Sequence, residues 1–519
     1  MTRVTMTSLY SSLNNWTGRL FEATPSTVVT TRSATSFAFS YPGAHDFPGF
    51  TITVTGTGFS YRGDDPTAGR ITRIVVSNAS SQTVLTLDQF TNNGLANDLA
   101  QFAANVFGAR DTNGDGPGAN GEIAWSHMLS GNDVINGTNG NDRTLQGFDI
   151  GNDVYNMGAG DDEIAGGMGN DTIRGGDGFD TITFSQTTYN LGGPGFRGIS
   201  VNMRTGKLID VWGGVDTFSG IEKVTGSRFN DTFNGSAARD SFEGLRGADV
   251  FNGGAEKDRV EYQNDFWQGG RRGIVVDLET SVVNGHIRGT IRDGFGQIDR
   301  TIDIERVVGT RFDDTFVGSS DDNKFWGGEG KDSYDGDGGW DAISFGRWFT
   351  DQARTGVTVD LSRATNQILN DGFGNRETAI SIEEIEGSDL RDRIKGSAGS
   401  EFLEGGDGRD TLTGGGGTDE FYWDTQSDIG DGDIITDFAA NGVSTRDRLA
   451  FNTDEFDGMT TTLRLVNGTA ATVAAGQFIF NAANDTLYWD KDGTGPASAV
   501  AVVRLTNVDA LSAANFELF

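Results

Sequence analysis

The sequence predicts an all-β protein in which a parallel β-solenoid, or β-roll, lies between β-rich capping domains. The first observation is a nine-residue rotation of glycine, aspartate and an apolar residue through the middle of the chain. The second is composition, because 77 glycines among 519 residues and only 35% hydrophobic residues do not describe an ordinary packed core. The third is a pair of β-branched runs, FTITVTG at 50 and ITRIVVS at 71, which favour strands before the repeats.

The repeat is complete in residues 166–184, GGMGNDTIRGGDGFDTITF, which read G-G-x-G-x-D-x-apolar-x twice. The aspartate position, at which Asn323 and Glu401 replace aspartate, returns every nine residues in four blocks, with an apolar residue two positions later, as Ile173 follows Asp171. The positions are Asp153, Asp162, Asp171 and Asp180; Asp231, Asp240, Asp249 and Asp258; Asp314, Asn323, Asp332 and Asp341; and Asp392, Glu401, Asp410 and Asp419. Such periodicity is typical of a solenoid.

The spacers between the blocks repeat as well. Each has a short alternating strand, GISVNM at 198, GIVVDL at 273 or GVTVDL at 356, then a glycine turn and a segment that begins with Ile-Glu. The superperiod is 83 and then 78 residues, counted from Asp231 to Asp314 to Asp392. The predicted domains are an N-terminal β-rich domain at 1–125, a first repeat block at 126–185, three modules at 186–262, 263–345 and 346–424, and a C-terminal β cap at 425–519.

Glycine, aspartate and an apolar residue in this order suit a loop that binds a hard cation. Glycines permit positive φ, so loop carbonyls can converge, and calcium takes about six to eight oxygen ligands. The glycines of the complete repeat are Gly166, Gly167, Gly169, Gly175, Gly176 and Gly178. If two repeats form one coil, aspartates 18 residues apart stack and repel one another unless a cation lies between them. We therefore expect several calcium ions and coupled binding and folding.

Across residues 131–424 the chain resembles the repeats-in-toxin (RTX) hemolysin-type calcium-binding proteins, through GGMGNDTIR, GGDGFDTIT, GGEGKDSYD and GGDGRDTLT. The resemblance implies a calcium-binding β-roll, export by a type I secretion machinery that reads an uncleaved C-terminal signal, and folding in external calcium. The final residues LSAANFELF are similar to such a signal, and the first residues lack the apolar segment of a cleavable signal peptide. A secreted protein, extracellular or at the surface of a bacterium, is expected.

The repeats depart from the family pattern in the later blocks. The first two turns of each, such as GSRFND and GSAARD, lack the inner glycine. We therefore expect the third and fourth turns to supply the better ligands, and Asp171 to contribute more to calcium binding than Asp240.

Residues 111–122, DTNGDGPGANGE, match the EF-hand loop pattern with ligands Asp111, Asn113, Asp115 and Glu122. Helical spacing of apolar residues between Leu95 and Val106 predicts one short helix before it. Pro117 and Gly118 are unusual for such a loop, so a polar linker between domains is the alternative reading.

Charge and composition exclude several classes of partner. The formal net charge of −34 argues against nucleic acid and against anionic membranes, and it favours cations. No cysteine is present, so neither a disulfide nor a thiolate site exists. The sequence contains no run of about 18 apolar residues, so it predicts no membrane-spanning helix.

No catalytic motif stands out. None of the three histidines lies in H-E-x-x-H, and no serine lies in G-x-S-x-G. We therefore expect a non-catalytic protein of a surface layer, extracellular matrix or adhesin, with self-assembly or cell-surface polysaccharide as the contact. Five aromatic residues in or near the spacers could stack on sugar or pack against a neighbouring molecule, and filling of the core is the alternative: Trp212, Trp267, Phe295, Trp348 and Phe373. The alternative is a polysaccharide-modifying enzyme with an unrecognised N-terminal site.

Overall fold

A computed structural model of the chain describes residues 3–6, 28–32, 36–40, 51–62, 65–77, 83–88, 132–137, 139–142, 144, 151–185, 196–346, 353–441 and 446–519. The chain forms two compact units, Met1–Glu256 and Lys257–Phe519. The predicted helix between Leu95 and Val106 and the predicted EF-hand loop at 111–122 lie outside the described residues.

The first unit begins with an antiparallel sheet, which agrees with the prediction of strands there. Its strands are β1 (Arg3–Met6), β2 (Val28–Arg32), β3 (Ser36–Ser40), β4 (Thr51–Arg62), β5 (Asp65–Ser77) and β6 (Thr83–Asp88). Val54 and Ile74 face each other across β4 and β5, and both are fully buried. The last partner of this sheet is β1, which pairs with β6 and also, in parallel, with the first strand of the roll.

The roll of the first unit consists of very short strands. They are β7 (Val134–Asn136), β8 (Val154–Ala159), β9 (Glu163–Ile164), β10 (Thr172–Asp177), β11 (Thr181–Thr183), β12 (Ser200–Asn202), β13 (Lys207–Ile209), β14 (Val215–Ser219), β15 (Lys223–Thr225), β16 (Thr232–Asn234), β17 (Ser241–Glu243) and β18 (Val250–Asn252). Strands from alternate repeats pair in parallel, with Thr172 opposite Val154 and Thr232 opposite Val250. One coil therefore contains two repeats, as predicted.

The apolar residue of each repeat fills the space inside the coil. Phe233, Phe242 and Phe251 come from three consecutive repeats and are fully buried, with ring centroids 5.0 to 6.4 Å apart. In strands such as β16 the residues on either side of this apolar residue are partly exposed, whereas all three residues of β17 are buried. Burial of one large side chain per repeat supplies the hydrophobic stabilisation of a core that is only one side chain thick.

The first spacer enlarges one coil of the roll. In it β12, β13 and β14 form an antiparallel meander between the parallel ladders. Strand β14 stacks on β10 of the preceding repeat, and β12 stacks on β16 of the following one. The second ladder needs no insertion, since β15 pairs directly with β11 and β17.

The second unit has the same construction over two further spacers. Its roll strands are β19 (Arg259–Glu261), β20 (Val275–Val283), β21 (His286–Arg292), β22 (Ile298–Ile302), β23 (Arg306–Val308), β24 (Thr315–Ser319), β25 (Lys324–Trp326), β26 (Ser333–Asp337), β27 (Ala342–Ser344), β28 (Thr358–Asp360), β29 (Ile368–Asn370), β30 (Thr378–Ile380), β31 (Glu384–Glu386), β32 (Arg393–Lys395), β33 (Phe402–Glu404), β34 (Thr411–Thr413) and β35 (Glu420–Trp423). Phe316, Phe325 and Tyr334 stack inside it as the three phenylalanines do in the first unit.

The C-terminal segment continues the ladders of the second unit and then adds a meander. Its strands are β36 (Asp433–Ile435), β37 (Arg448–Phe451), β38 (Leu465–Asn467), β39 (Gln477–Asn481), β40 (Thr486–Asp490), β41 (Val500–Leu505) and β42 (Phe516–Leu518). Strands β36 and β37 stack on β34 and β35, and Phe451 and Phe478 join the apolar interior at a centroid distance of 4.8 Å. The described helical segments are three-residue 3-10 turns at Met203–Thr205, Gln426–Asp428 and Ala513–Asn515.

Candidate calcium sites along the roll

The repeat aspartates form a buried ladder that joins one coil to the next. The backbone N–H of Asp153 donates to Oδ1 of Asp171 at 2.8 Å, and that of Asp162 donates to Oδ1 of Asp180 at 2.9 Å. The same bond joins Asp231 to Asp249 at 2.7 Å, Asp314 to Asp332 at 2.8 Å, Asn323 to Asp341 at 2.8 Å, Asp392 to Asp410 at 2.7 Å and Glu401 to Asp419 at 3.1 Å. One oxygen of each upper carboxylate is therefore used by the backbone.

The other oxygen is buried without a hydrogen bond in five repeats, of which those of Asp171, Asp180 and Asp410 begin G-G. These oxygens are Oδ2 of Asp162, Asp171, Asp180, Asp341 and Asp410. All five side chains are at most 2% exposed. A buried carboxylate oxygen with no donor carries a large desolvation cost, so these positions favour a bound cation.

The first glycine of each repeat keeps space open beside this oxygen. A Cβ on Gly175 would lie 2.2 Å from Oδ2 of Asp180, and one on Gly405 would lie 2.5 Å from Oδ2 of Asp410. Gly166 stands in the same relation to Asp171, with a distance of 3.1 Å. Glycine at this position therefore leaves room for the carboxylate and for any ion that it holds.

The second and third glycines have positive φ, as the loop geometry demands. The φ values are 82° for Gly167, 151° for Gly169, 128° for Gly176 and 130° for Gly178. Two later turns keep this conformation without glycine, since Leu245 has φ of 61° and Glu256 has φ of 65°. In these two turns the loop shape persists at some cost in backbone strain.

A second type of turn satisfies its aspartate without a cation. Ser227 donates its N–H to Oδ2 of Asp231 at 2.7 Å and its hydroxyl to Oδ1 at 2.9 Å. Thr310 does the same for Asp314, at 2.6 and 2.9 Å. Ser388 repeats the arrangement with Asp392, again at 2.6 and 2.9 Å. We call these hydroxyl-latched turns, and each is the first turn of its block.

The hydroxyl latch was missed by sequence reasoning, although its signal is visible. Serine or threonine replaces the second glycine, so the repeat begins G-S or G-T instead of G-G. Asp240 belongs partly to this type, because Oδ2 accepts the N–H of Ser236 at 2.6 Å. The expectation that first and second turns are poorer ligands thus gains a physical reason.

Burial and mutual repulsion raise the pKa values of the repeat carboxylates. Burial raises the pKa of Asp171 to about 9, and the charge on Asp216 adds to this effect. Burial likewise raises the pKa of Asp410 to about 8 and that of Asp341 to about 7. None of these three forms an ion pair with a described lysine or arginine. A divalent cation would supply the missing positive charge.

In the described part of the chain, no three Asp, Glu, His or Cys side chains converge closely enough to hold a metal ion by themselves. The roll therefore offers one or two carboxylates for each ion, and carbonyl oxygens of the glycine loops would complete the set of ligands. Oxygen-only donors of this kind suit calcium and do not suit zinc or copper.

Comparison with known families agrees with this geometry. The family profile described as the RTX calcium-binding nonapeptide repeat (4 copies) matches residues 129–143, 149–182, 225–260, 308–343 and 386–429. The chain contains RTX calcium-binding repeats. All repeat aspartates predicted from the sequence lie inside these segments. No curated protein matches the chain.

RTX repeats bind calcium, and proteins that carry them are typically secreted. No helix in the described ranges is long and apolar enough to cross a membrane. The predicted EF-hand ligands Asp111, Asn113, Asp115 and Glu122 lie outside the described residues, so that site stays a prediction.

Several carboxylates outside the RTX repeats continue the ladder, and sequence reasoning missed them. Each accepts the N–H of the last repeat aspartate below it: Asp216 from Asp171 at 2.8 Å, Glu222 from Asp180 at 2.8 Å, Glu305 from Asp258 at 2.9 Å, Glu377 from Asp332 at 3.0 Å, Glu383 from Asp341 at 3.1 Å, Asp433 from Asp410 at 2.9 Å and Asp447 from Asp419 at 3.1 Å. The sequence signal that could have found them is an acidic residue two positions before an apolar residue, as in the repeats, but without the preceding glycines of the repeat.

The difference between the two types of turn can be tested with Asp171→Ala and Asp240→Ala. Asp171→Ala is expected to weaken calcium affinity more, because it removes a buried oxygen with no other donor, whereas Ser236 already serves Asp240. Calcium titration followed by calorimetry measures both. An equal or larger loss in Asp240→Ala would contradict the distinction between latched and G-G turns.

Proposed function

We propose that this secreted calcium-binding protein is a non-catalytic structural component of a bacterial surface layer, extracellular matrix or adhesin. It folds and assembles when it meets external calcium. The observation that carries the proposal is the carboxylate ladder, because it makes the folded roll depend on a cation that is abundant outside the cell. The roll then acts as a spacer between the terminal domains, which provide the contact surfaces.

An exposed aromatic cluster in the second unit supports contact with polysaccharide. Trp267 is 74% exposed and packs edge to face on Phe266 at a centroid distance of 5.1 Å. Arg311 lies over the ring of Phe266 at 4.5 Å and holds it in place. An exposed indole is well suited to stack on a sugar ring. Trp212, Phe295 and Phe373 are only partly exposed, and Trp348 lies outside the described residues.

We expect Trp267→Ala to reduce retention of the calcium-loaded protein on bacterial surface polysaccharide by roughly tenfold, the effect of losing about 1.4 kcal/mol. Phe196→Ala is the matched control, since Phe196 is 71% exposed in the other unit. Affinity electrophoresis in a gel that contains the polysaccharide measures retention. Equal retention of both variants would contradict a role for the cluster.

Assembly and turnover separate the proposal from its alternative. Electron microscopy of the calcium-loaded protein is expected to show lattices, filaments or other ordered assemblies that disappear with chelator. Release of reducing sugar ends from the same polysaccharide, dependent on protein concentration, would overturn the non-catalytic role and favour the polysaccharide-modifying enzyme.

A further inference from the structure

The first spacer reproduces the hydrogen bonds of a repeat although it lacks the repeat sequence. Asp216 Oδ1 accepts the N–H of Asp171 at 2.8 Å, as Asp171 Oδ1 accepts the N–H of Asp153. The N–H of Thr217 donates to the carbonyl of Asp171 at 2.8 Å, as the N–H of Thr172 donates to that of Asp153 at 2.7 Å. Thus Asp216 takes the place of the next repeat aspartate.

The oxygens left over at this junction are buried and lack hydrogen bonds. Asp171 and Asp216 are each 1% exposed, and Oδ2 of each accepts no hydrogen bond. Neither forms an ion pair with a described lysine or arginine. Burial, together with the charge on Asp210, raises the pKa of Asp216 to about 7. Two adjacent buried carboxylates without a counter-charge point to a cation.

A third carboxylate shapes the turn above them. Oδ1 of Asp210 accepts the N–H of Trp212 and of Gly214, both at 2.8 Å, while its Oδ2 is buried without a hydrogen bond. A Cβ on Gly214 would lie 1.7 Å from the carbonyl oxygen of Gly169 and 2.6 Å from Oδ2 of Asp210. Glycine therefore keeps a repeat carbonyl and a spacer carboxylate close to each other.

The third spacer repeats the arrangement within the second unit. Glu377 Oε1 accepts the N–H of Asp332 at 3.0 Å, and its Oε2 is buried without a hydrogen bond. Asp371, six positions before Glu377 as Asp210 is before Asp216, accepts the N–H of Phe373 and Gly374, both at 2.9 Å. Two separate spacers thus provide an equivalent carboxylate next to a repeat aspartate: Asp216 beside Asp171, and Glu377 beside Asp332.

We propose that the first spacer completes a calcium site of its own, in which Asp171 and Asp216 supply the carboxylate ligands and loop carbonyls supply the remainder. Asp210 holds the turn and adds negative charge beside the ion. The spacer is then a calcium-binding element that fastens the end of one repeat block, and the number of ions exceeds the number that the repeats alone would bind.

Asp216→Asn tests this site in the full-length protein, because asparagine keeps the Oδ1 acceptor for Asp171 and removes only the charge. Equilibrium dialysis with radioactive calcium is expected to show one ion fewer per chain. Terbium luminescence is the second measurement, since Trp212 lies in the turn that Asp210 holds and a tryptophan near bound terbium excites its emission. Trp212→Phe is expected to remove the part of the terbium signal that Trp212 excites. Asp216→Asn is expected to lack the same part of the signal.

Two controls make the result specific. Asp177→Asn changes an exposed carboxylate nearby and is expected to bind the wild-type number of ions. Asp180→Asn changes a repeat site on the other ladder and is expected to keep the Trp212-dependent signal, which separates failure of this site from failure of the repeats. An unchanged ion number in Asp216→Asn would overturn the proposal. Loss of several ions at once would overturn it too, because Asp216 would then support folding of the block rather than one site.

Discussion

Chelation of calcium at neutral pH is expected to unfold the repeat region, residues 131–424, of the full-length protein. Without the ion, the buried oxygens of residues such as Asp171, Asp341 and Asp410 have neither a donor nor a counter-charge. At neutral pH the calcium-free roll must either ionise these carboxyl groups without a counter-charge or keep them protonated, and both cost free energy that the unfolded chain, which ionises them in water, does not lose. A core one side chain thick cannot offset that cost over many coils.

Far-ultraviolet circular dichroism, recorded with excess calcium and then with excess EGTA, measures this transition. We expect most of the β-sheet signal to disappear and to return when calcium is restored. Magnesium is the control, because it demands a more rigid octahedral shell than glycine loops provide. A spectrum unchanged by EGTA would contradict the link between calcium binding and folding.

Acidification is expected to restore structure to the calcium-free protein. Burial raises the pKa of Asp171 from 3.8 to about 9, that of Glu377 from 4.5 to about 8 and that of Asp410 from 3.8 to about 8. Between the pKa of each group in the unfolded chain and its pKa in the folded roll, the folded state binds more protons, so the free energy of unfolding falls as pH rises. Stabilisation of the calcium-free roll by bound protons is complete below about pH 4 and is lost progressively as the pH rises to about 9.

Urea unfolding of the calcium-free protein at a series of pH values checks this sign. The midpoint is expected to rise as pH falls from about 9 toward 5, while calcium affinity falls because protons compete for the same oxygens. The measurements should use dilute protein, because the isoelectric point is near 4.3. A midpoint that falls steadily on acidification would show that the buried carboxylates are ionised and satisfied without calcium.

The repeat and its core could be predicted from the sequence because they depend on local pattern. Nine-residue spacing determines that Phe233 and Phe251 stack one coil apart, and the structure confirms the 18-residue register of the coil. Ligand type follows from the same pattern, since glycine loops and aspartates offer oxygen donors alone. Because these features recur in four blocks, the pattern can be recognised from the sequence alone.

Only the tertiary structure decided which carboxylates lie at the ends of the blocks and which turns need no ion. Asp216 meets Asp171 across 45 residues because a meander of three strands enlarges the coil between them, and no periodic pattern encodes that distance. The latch of Ser227 on Asp231 spans four residues, but its meaning depends on burial of both oxygens. By itself the sequence determined the coil, the apolar core and the calcium-binding chemistry. The structure alone decided which oxygens already have donors, because hydrogen bonding and burial depend on the packing of one coil against the next.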